Sequence, residues 1–135
     1  MIKVYETSRE GNKLTEKTDF EIGDSISIIK INTDKKHQTI TGFGGAFTES
    51  SAYLLNQMSD SKRKEIIDAY FSENGSNYSL TRTHMNSCDF SLSNYSYSPV
   101  EGDINLDYFS VKEDMNDIIP MIKDAQKVSE NGFKI

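Results

Sequence analysis

Arg82-Thr-His-Met-Asn-Ser-Cys-Asp-Phe90 follows directly on a short strand-like run and sets an arginine, a histidine, a cysteine, an aspartate and an aromatic close together. A buried strand seldom tolerates an arginine. An Asp-Phe pair at the strand's exit is suited to holding a polar ligand against an apolar wall. Upstream, Gly42-Phe-Gly-Gly-Ala-Phe-Thr-Glu-Ser50 is a glycine-rich exit from another strand into a helix. Two strand ends that each open into a polar or glycine-rich loop are the arrangement found at the active face of a parallel α/β barrel.

Outward from these two stretches the pattern is regular. Gln38–Phe43 reads as a short strand, Gly44-Gly45 as a flexible turn, and Thr48 or Ser50 as the N-cap of a helix over Glu49–Gln57. Ser59 caps a second helix, Ser61–Phe71, in which Ile66, Ile67, Tyr70 and Phe71 recur on one face. Gly75 stops it. Tyr78–His84 is the next strand, and residues 85–106 form a tyrosine- and serine-rich loop whose length alone makes it a site candidate. A last helix is expected from Lys112 to Ser129, with Ile118, Ile119, Met121, Ile122 and Ala125 inward and Pro120 as a kink or break. Gly132–Ile135 resembles the entry to another strand.

Residues 1–36 differ in character. Ile2, Val4 and Tyr5 begin a strand, a polar turn follows at Gly11-Asn12, and Ser25–Ile31 is a second, β-branched strand. Asn32–Lys36 is a polar connector. The order is thus a β-ribbon, then βα, βα and an unfinished strand, which predicts a parallel sheet with helical crossovers.

Bulk properties exclude several classes. The chain has 135 residues, one domain as a prior, with 36% hydrophobic residues and a formal net charge of −6. Mean hydropathy is −0.59, so the core is lean. Acids and bases are interleaved without the basic stripe that a nucleic-acid surface needs. No apolar run approaches the ~20 residues of a transmembrane span. The N-terminus lacks the apolar stretch of a secretory signal, which points to the cytoplasm. On that basis the Asn-x-Ser triplets at Asn74, Asn77 and Asn94 read as chance matches. Cys88 is the single cysteine, so there is no internal disulfide.

Each chemical candidate has a plainer alternative. Arg82 shares a strand face with Leu80 and His84. It is either a surface residue on an edge strand or, in a cleft, a cation that orients a carboxylate. Asp89 is either an Asx-turn acid or an acceptor for ligand hydroxyls. Phe90 is a loop anchor or a pocket aromatic. His84 reads as a satisfied core histidine, since no partner stands at metal-ligand spacing. Cys88 has no neighbour marking it as a nucleophile. The glycine turn lacks both the Lys-Ser/Thr of a phosphate loop and the G-x-G-x-x-G pattern. Close backbone packing explains its glycines instead, and Glu49 reads as a first-turn acid favoured by the helix dipole.

Four motifs in register carry a resemblance. Gln38-x-x-x-Gly42-Phe-Gly-Gly-Ala-Phe-Thr-Glu49, Tyr70-Phe-Ser72, Arg82-x-x-Met85-x-Ser-Cys-Asp-Phe-Ser91 and Tyr95-Ser-Tyr97 together resemble the N-terminal part of the family 30 glycoside hydrolases. The glucosylceramidase (acid β-glucosidase) branch is the nearest match. The resemblance implies an α/β fold: the first two βα units and the start of a third strand of a (β/α)8 TIM barrel, over residues 37–135. Residues 1–36 would then be N-terminal strands of an accessory β-sandwich. It further implies that Arg82 hydrogen-bonds the catalytic nucleophile, that Asp89 binds hydroxyls of the sugar being cleaved, and that Phe90 is the neighbouring pocket aromatic. No cofactor or metal is implied. Where the family often continues Arg-x-Pro, this chain has Thr83-His84.

Retaining glycosidases need an acid/base and a nucleophile about 5 Å apart. The resemblance places both, as glutamates, on later barrel strands. The expectation is therefore an N-terminal fragment of a retaining β-glucosidase, inactive alone. Its partners would be the rest of the barrel and, in the complete enzyme, a β-glucoside or glucosylceramide-like substrate. The alternative is a free-standing non-catalytic protein that binds carbohydrate or a complementary fragment.

Overall fold

The computed structural model describes residues 3–19 and 27–135. These fall into two compact units, Met1–Gln38 and Thr39–Ile135.

In the first unit, Val4–Glu6 (β1) and Thr15–Lys17 (β2) form an antiparallel ribbon, with Val4 opposite Lys17 and Glu6 opposite Thr15. The polar turn lies at Gly11-Asn12 as expected: the Ser8 amide donates to the Asn12 carbonyl, and the Gly11 amide to that of Ser8. Gly11 has φ +115°, a conformation that L side chains rarely adopt. The strand expected over Ser25–Ile31 needs correction. Ser25 and Ile26 lie outside the described residues, and residues 27–31 form no strand. Ile28, Ile29 and Ile31 are exposed. β-Branched residues favour a strand only where a partner supplies ladder bonds and packing, and no described strand pairs with them.

The second unit is α/β. Ala46–Phe47 (β3) and Arg82–Thr83 (β4) pair in parallel, Ala46 beside Arg82 and Phe47 beside Thr83. A parallel bridge joins Leu80 to Lys134. The strand expected over Gln38–Phe43 is displaced, because the ladder forms beyond the glycines. Phe43 offers only its carbonyl, which accepts from the Ser79 and Leu80 amides at 2.9 and 3.2 Å. Gly44 is no flexible hinge, since a Cβ built there would stand 1.9 Å from the Leu80 carbonyl oxygen.

Capping sets the helices. Thr48 accepts from the Ser51 amide at 3.2 Å and begins α1, Glu49–Asn56. Ser59 accepts from the Lys62 amide and begins α2, Asp60–Phe71. Each such cap satisfies an amide that the first turn would otherwise orphan. Gly75 acts by close approach: a Cβ there would meet the Ala69 carbonyl oxygen at 2.2 Å. The neighbouring Ser76 amide donates to that same oxygen at 2.7 Å.

The single helix expected over Lys112–Ser129 is broken. Lys112–Met115 is a 3-10 turn, and α3 runs Ile118–Val128. Pro120 lies in the first turn of α3, where a missing amide proton costs nothing because no intrahelical acceptor exists for it.

Phe47, Leu55, Ile67, Phe71 and Ala125 form the core. The Phe47 ring stacks on Phe71 with centroids 5.4 Å apart, and Phe133 packs 5.2 Å from Phe71. Fully burying side chains of this size contributes about 1.5–3 kcal/mol each. Tyr70, expected on the buried face of α2, is exposed. Arg63 on α2 pairs with Asp124 on α3 at 2.8 Å. Lys127 and then Arg63 hold the Asp124 carboxyl below its usual range. Among the described residues no helix is long and apolar enough to cross a membrane.

Candidate active site

Alternation along β4 decides what the site presents. Thr81 is buried toward the helices, while Leu80 and Arg82 point to the opposite, exposed side. That face is open here, with Leu80 and Arg82 both exposed. Beyond the C-terminal ends of β3 and β4 lies a cleft of about 360 Å³. Phe47 and Thr48 line one wall, and Arg82, His84, Asp89 and Phe90 the other. Asp89 is the one carboxylate of this lining and Arg82 the one guanidinium.

Two buried carboxylates shape the loop that carries Asp89. Glu49 is only 6% exposed, and its Oε2 accepts from the Leu92 amide at 2.9 Å. The adjacent Ser50 amide donates to the Phe90 carbonyl at 3.0 Å. The first turn of α1 therefore grips the chain on both sides of Ser91, which sets where Asp89 and Phe90 emerge. Asp114, 7% exposed, accepts from the Tyr95 hydroxyl at 2.8 Å and also from the Tyr97 hydroxyl. A buried carboxylate is tolerable only when its oxygens are satisfied, and two phenols do this here. His84 Nε2 lies 3.2 Å from the Tyr95 hydroxyl. The Tyr97 amide donates to Asn86 Oδ1 at 2.8 Å, folding the loop back toward β4.

Burial, reinforced by the Asp114 carboxylate, pushes Tyr97 up to about 12 and raises Tyr95 as well. Each phenol ordinarily ionises near 10.0. A folded pKa above the unfolded one means that the stabilisation is complete below about pH 10. It disappears as the pH rises through the folded value. Ultraviolet titration of tyrosinate should show two of the seven tyrosines ionising late. Asp114→Asn should bring both back toward the ordinary range. If all seven titrate together in the unsubstituted protein, this anchoring is wrong.

Residues 40–135 match the glycosyl hydrolase family 30 TIM-barrel domain. The chain belongs to glycosyl hydrolase family 30. It is 35% identical over 109 residues to the lysosomal acid glucosylceramidase of Mus musculus, a match covering 80% of this chain and 21% of that protein. Among solved structures, SrfJ from Salmonella typhimurium has a TM-score of 0.64 and 38% identity, covering 67% of this chain and 20% of SrfJ. The endo-β1,6-glucanase BT3312 has a TM-score of 0.72 and 26% identity, covering 91% of this chain and 26% of the glucanase. The chain spans 27% and 21% of two curated glucosylceramidase relatives that it matches. Residues 40–135 are thus a small α/β segment of the family 30 barrel domain.

Within this family 30 segment, the three residues singled out by sequence, Arg82, Asp89 and Phe90, line one cleft. So do His84 and Cys88, which sequence reasoning set aside. Glu49 and Asp114 were missed as anchors. Glu49 is a first-turn acid as read, but its partner lies 43 residues away and leaves no local trace. Asp114 had a faint signal in Tyr95-Ser-Tyr97, where alternate phenols ask for a shared acceptor. Among the described residues no group of three His, Cys, Asp or Glu side chains could hold a metal.

Proposed function

We propose that this chain is the N-terminal portion of a retaining β-glucosidase of the glucosylceramidase type. In this reading residues 37–135 supply the first two βα units and the entry to the third strand of a (β/α)8 barrel. Residues 1–36 supply strands of its β-sandwich side domain. Asp89 binds hydroxyls of the sugar being cleaved, Phe90 walls the pocket, and Arg82 orients the nucleophilic glutamate. Both catalytic glutamates belong to later strands.

The observation that carries this reading is the convergence of Arg82, Asp89 and Phe90 beyond the C-terminal ends of two parallel strands. That end of the strands is where barrel enzymes build their sites. The cleft lining contains no glutamate, whereas a retaining mechanism requires two carboxyl groups about 5 Å apart. Glu49, the acid nearest in sequence to β3, is buried and engaged with the Leu92 amide. The glucosylceramidase name of the mouse relative suggests the substrate class.

Purified chain should show no turnover of an aryl β-glucoside at acidic or neutral pH. The chain completed by the remainder of its barrel should hydrolyse it with retention of configuration. Turnover by the short chain that survives a check for contaminants would place a catalytic pair within it. An inactive completed enzyme would overturn the glycosidase assignment.

A further inference from the structure

The His84 ring is one of the walls of the cleft. Its hydrogen bonding follows from its neighbours. The Asp114 carboxylate, buried, accepts from both phenols, so the Tyr95 hydroxyl spends its single proton on Asp114 Oδ1, 2.8 Å away. The Tyr95 oxygen is then left as an acceptor toward His84 Nε2 at 3.2 Å. Nε2 must therefore carry a proton, and the neutral ring has its lone pair on Nδ1. Among the described residues Nδ1 has no hydrogen-bond partner, while the ring remains half-buried at the cleft.

We infer that His84 is a hydroxyl-recognising residue of this cleft, its Nδ1 accepting from a ligand hydroxyl and its tautomer set by the Asp114–Tyr95 pair. The ligand class is a polyhydroxylated ring, and this inference rests on the glycosidase reading above for that class. Asp89 and His84 Nδ1 bring acceptors to one cleft, beside the Arg82 guanidinium and the Thr48 and Thr83 hydroxyls. A polyhydroxylated ring, whose O–H groups both donate and accept, can engage such a mixed lining. Tyr95 and Asp114 are positioning residues that act through His84.

The test uses the complete enzyme carrying this segment. His84→Ala should lower kcat/KM for the parent β-glucoside about two- to tenfold, the range for one neutral hydrogen bond. On one monodeoxy glucoside, the one lacking the recognised hydroxyl, the same substitution should have no effect. Tyr95→Phe frees the ring to take either tautomer, so it should give a smaller loss with the same selectivity. Equal losses across all the deoxy compounds, or none, would overturn the inference. Activity of the unsubstituted enzyme on an aryl β-glucoside reports separately on the glycosidase reading. Titration with methyl β-glucoside, followed through the His84 ring nitrogens by NMR, tests His84 even without turnover. A ligand-dependent shift at Nδ1 supports the role, and an unmoved ring refutes it.

Discussion

Asp89→Asn in the complete enzyme is expected to lower kcat/KM about 10- to 150-fold. The proposed role gives Asp89 charge-assisted hydrogen bonds to sugar hydroxyls, and hydrogen bonds to charged groups contribute about 1.5–3 kcal/mol. Asparagine keeps the shape and one carbonyl acceptor but loses the charge, so the fold should be untouched and the loss should lie in the chemistry of binding. Part of it should appear in kcat, because hydrogen bonds to the reacting sugar tighten as the ring distorts toward the transition state. Arg82→Leu should behave differently. In its proposed role Arg82 lies beside the nucleophile, so its loss removes an opposite charge and raises that carboxylate's pKa. The acid limb of the pH–rate profile should move to higher pH, a change not expected for Asp89→Asn. A silent Asp89→Asn would return Asp89 to a loop acid, and an unmoved acid limb would return Arg82 to a surface residue.

Gly44→Ala and Gly45→Ala should have opposite consequences although they are neighbours. A Cβ at Gly44 would lie 1.9 Å from the Leu80 carbonyl oxygen and 2.8 Å from its carbon, both rigid backbone. The segments leading into β3 and β4 would have to separate, at a cost of about 1–3 kcal/mol or more, as for overpacking of an interior. That is a large share of the ~5–15 kcal/mol available to a folded domain. The cleft should suffer with it, since the pairing of Ala46 with Arg82 and of Phe47 with Thr83 aligns its two walls. At Gly45 the added Cβ meets only the Tyr78 ring, at 3.7 Å, an ordinary contact. The backbone there has no positive φ. Gly45→Ala should therefore be neutral or stabilise by up to ~1 kcal/mol through the unfolded chain. Calorimetry of both variants in the complete enzyme checks this, and a Gly44→Ala melt equal to that of the unsubstituted protein would contradict it.

Helices and family were legible in the amino-acid order. Ser59 caps its helix as read, and Thr48 is the one of the two candidates, Thr48 and Ser50, that caps α1, because a cap is a contact between residues three apart. The period of Ile67 and Phe71, and of Ile118 and Ala125, marks the buried faces for the same local reason. The family rests on motifs whose order and spacing survive without any coordinates. What the sequence left open depends on contacts with distant parts of the chain. β3 forms past the glycines, because register is chosen by what the partner strand offers, and Gly44 must first clear Leu80. Glu49 and Asp114 became anchors only when folding carried the Leu92 amide and two phenols to them, 43, 19 and 17 residues away. Arg82 and His84 alternate off one strand in the sequence. Only the packed structure left the Arg82 face open and turned the His84 ring to Tyr95, since burial and hydrogen-bond partners are set by whichever neighbours arrive.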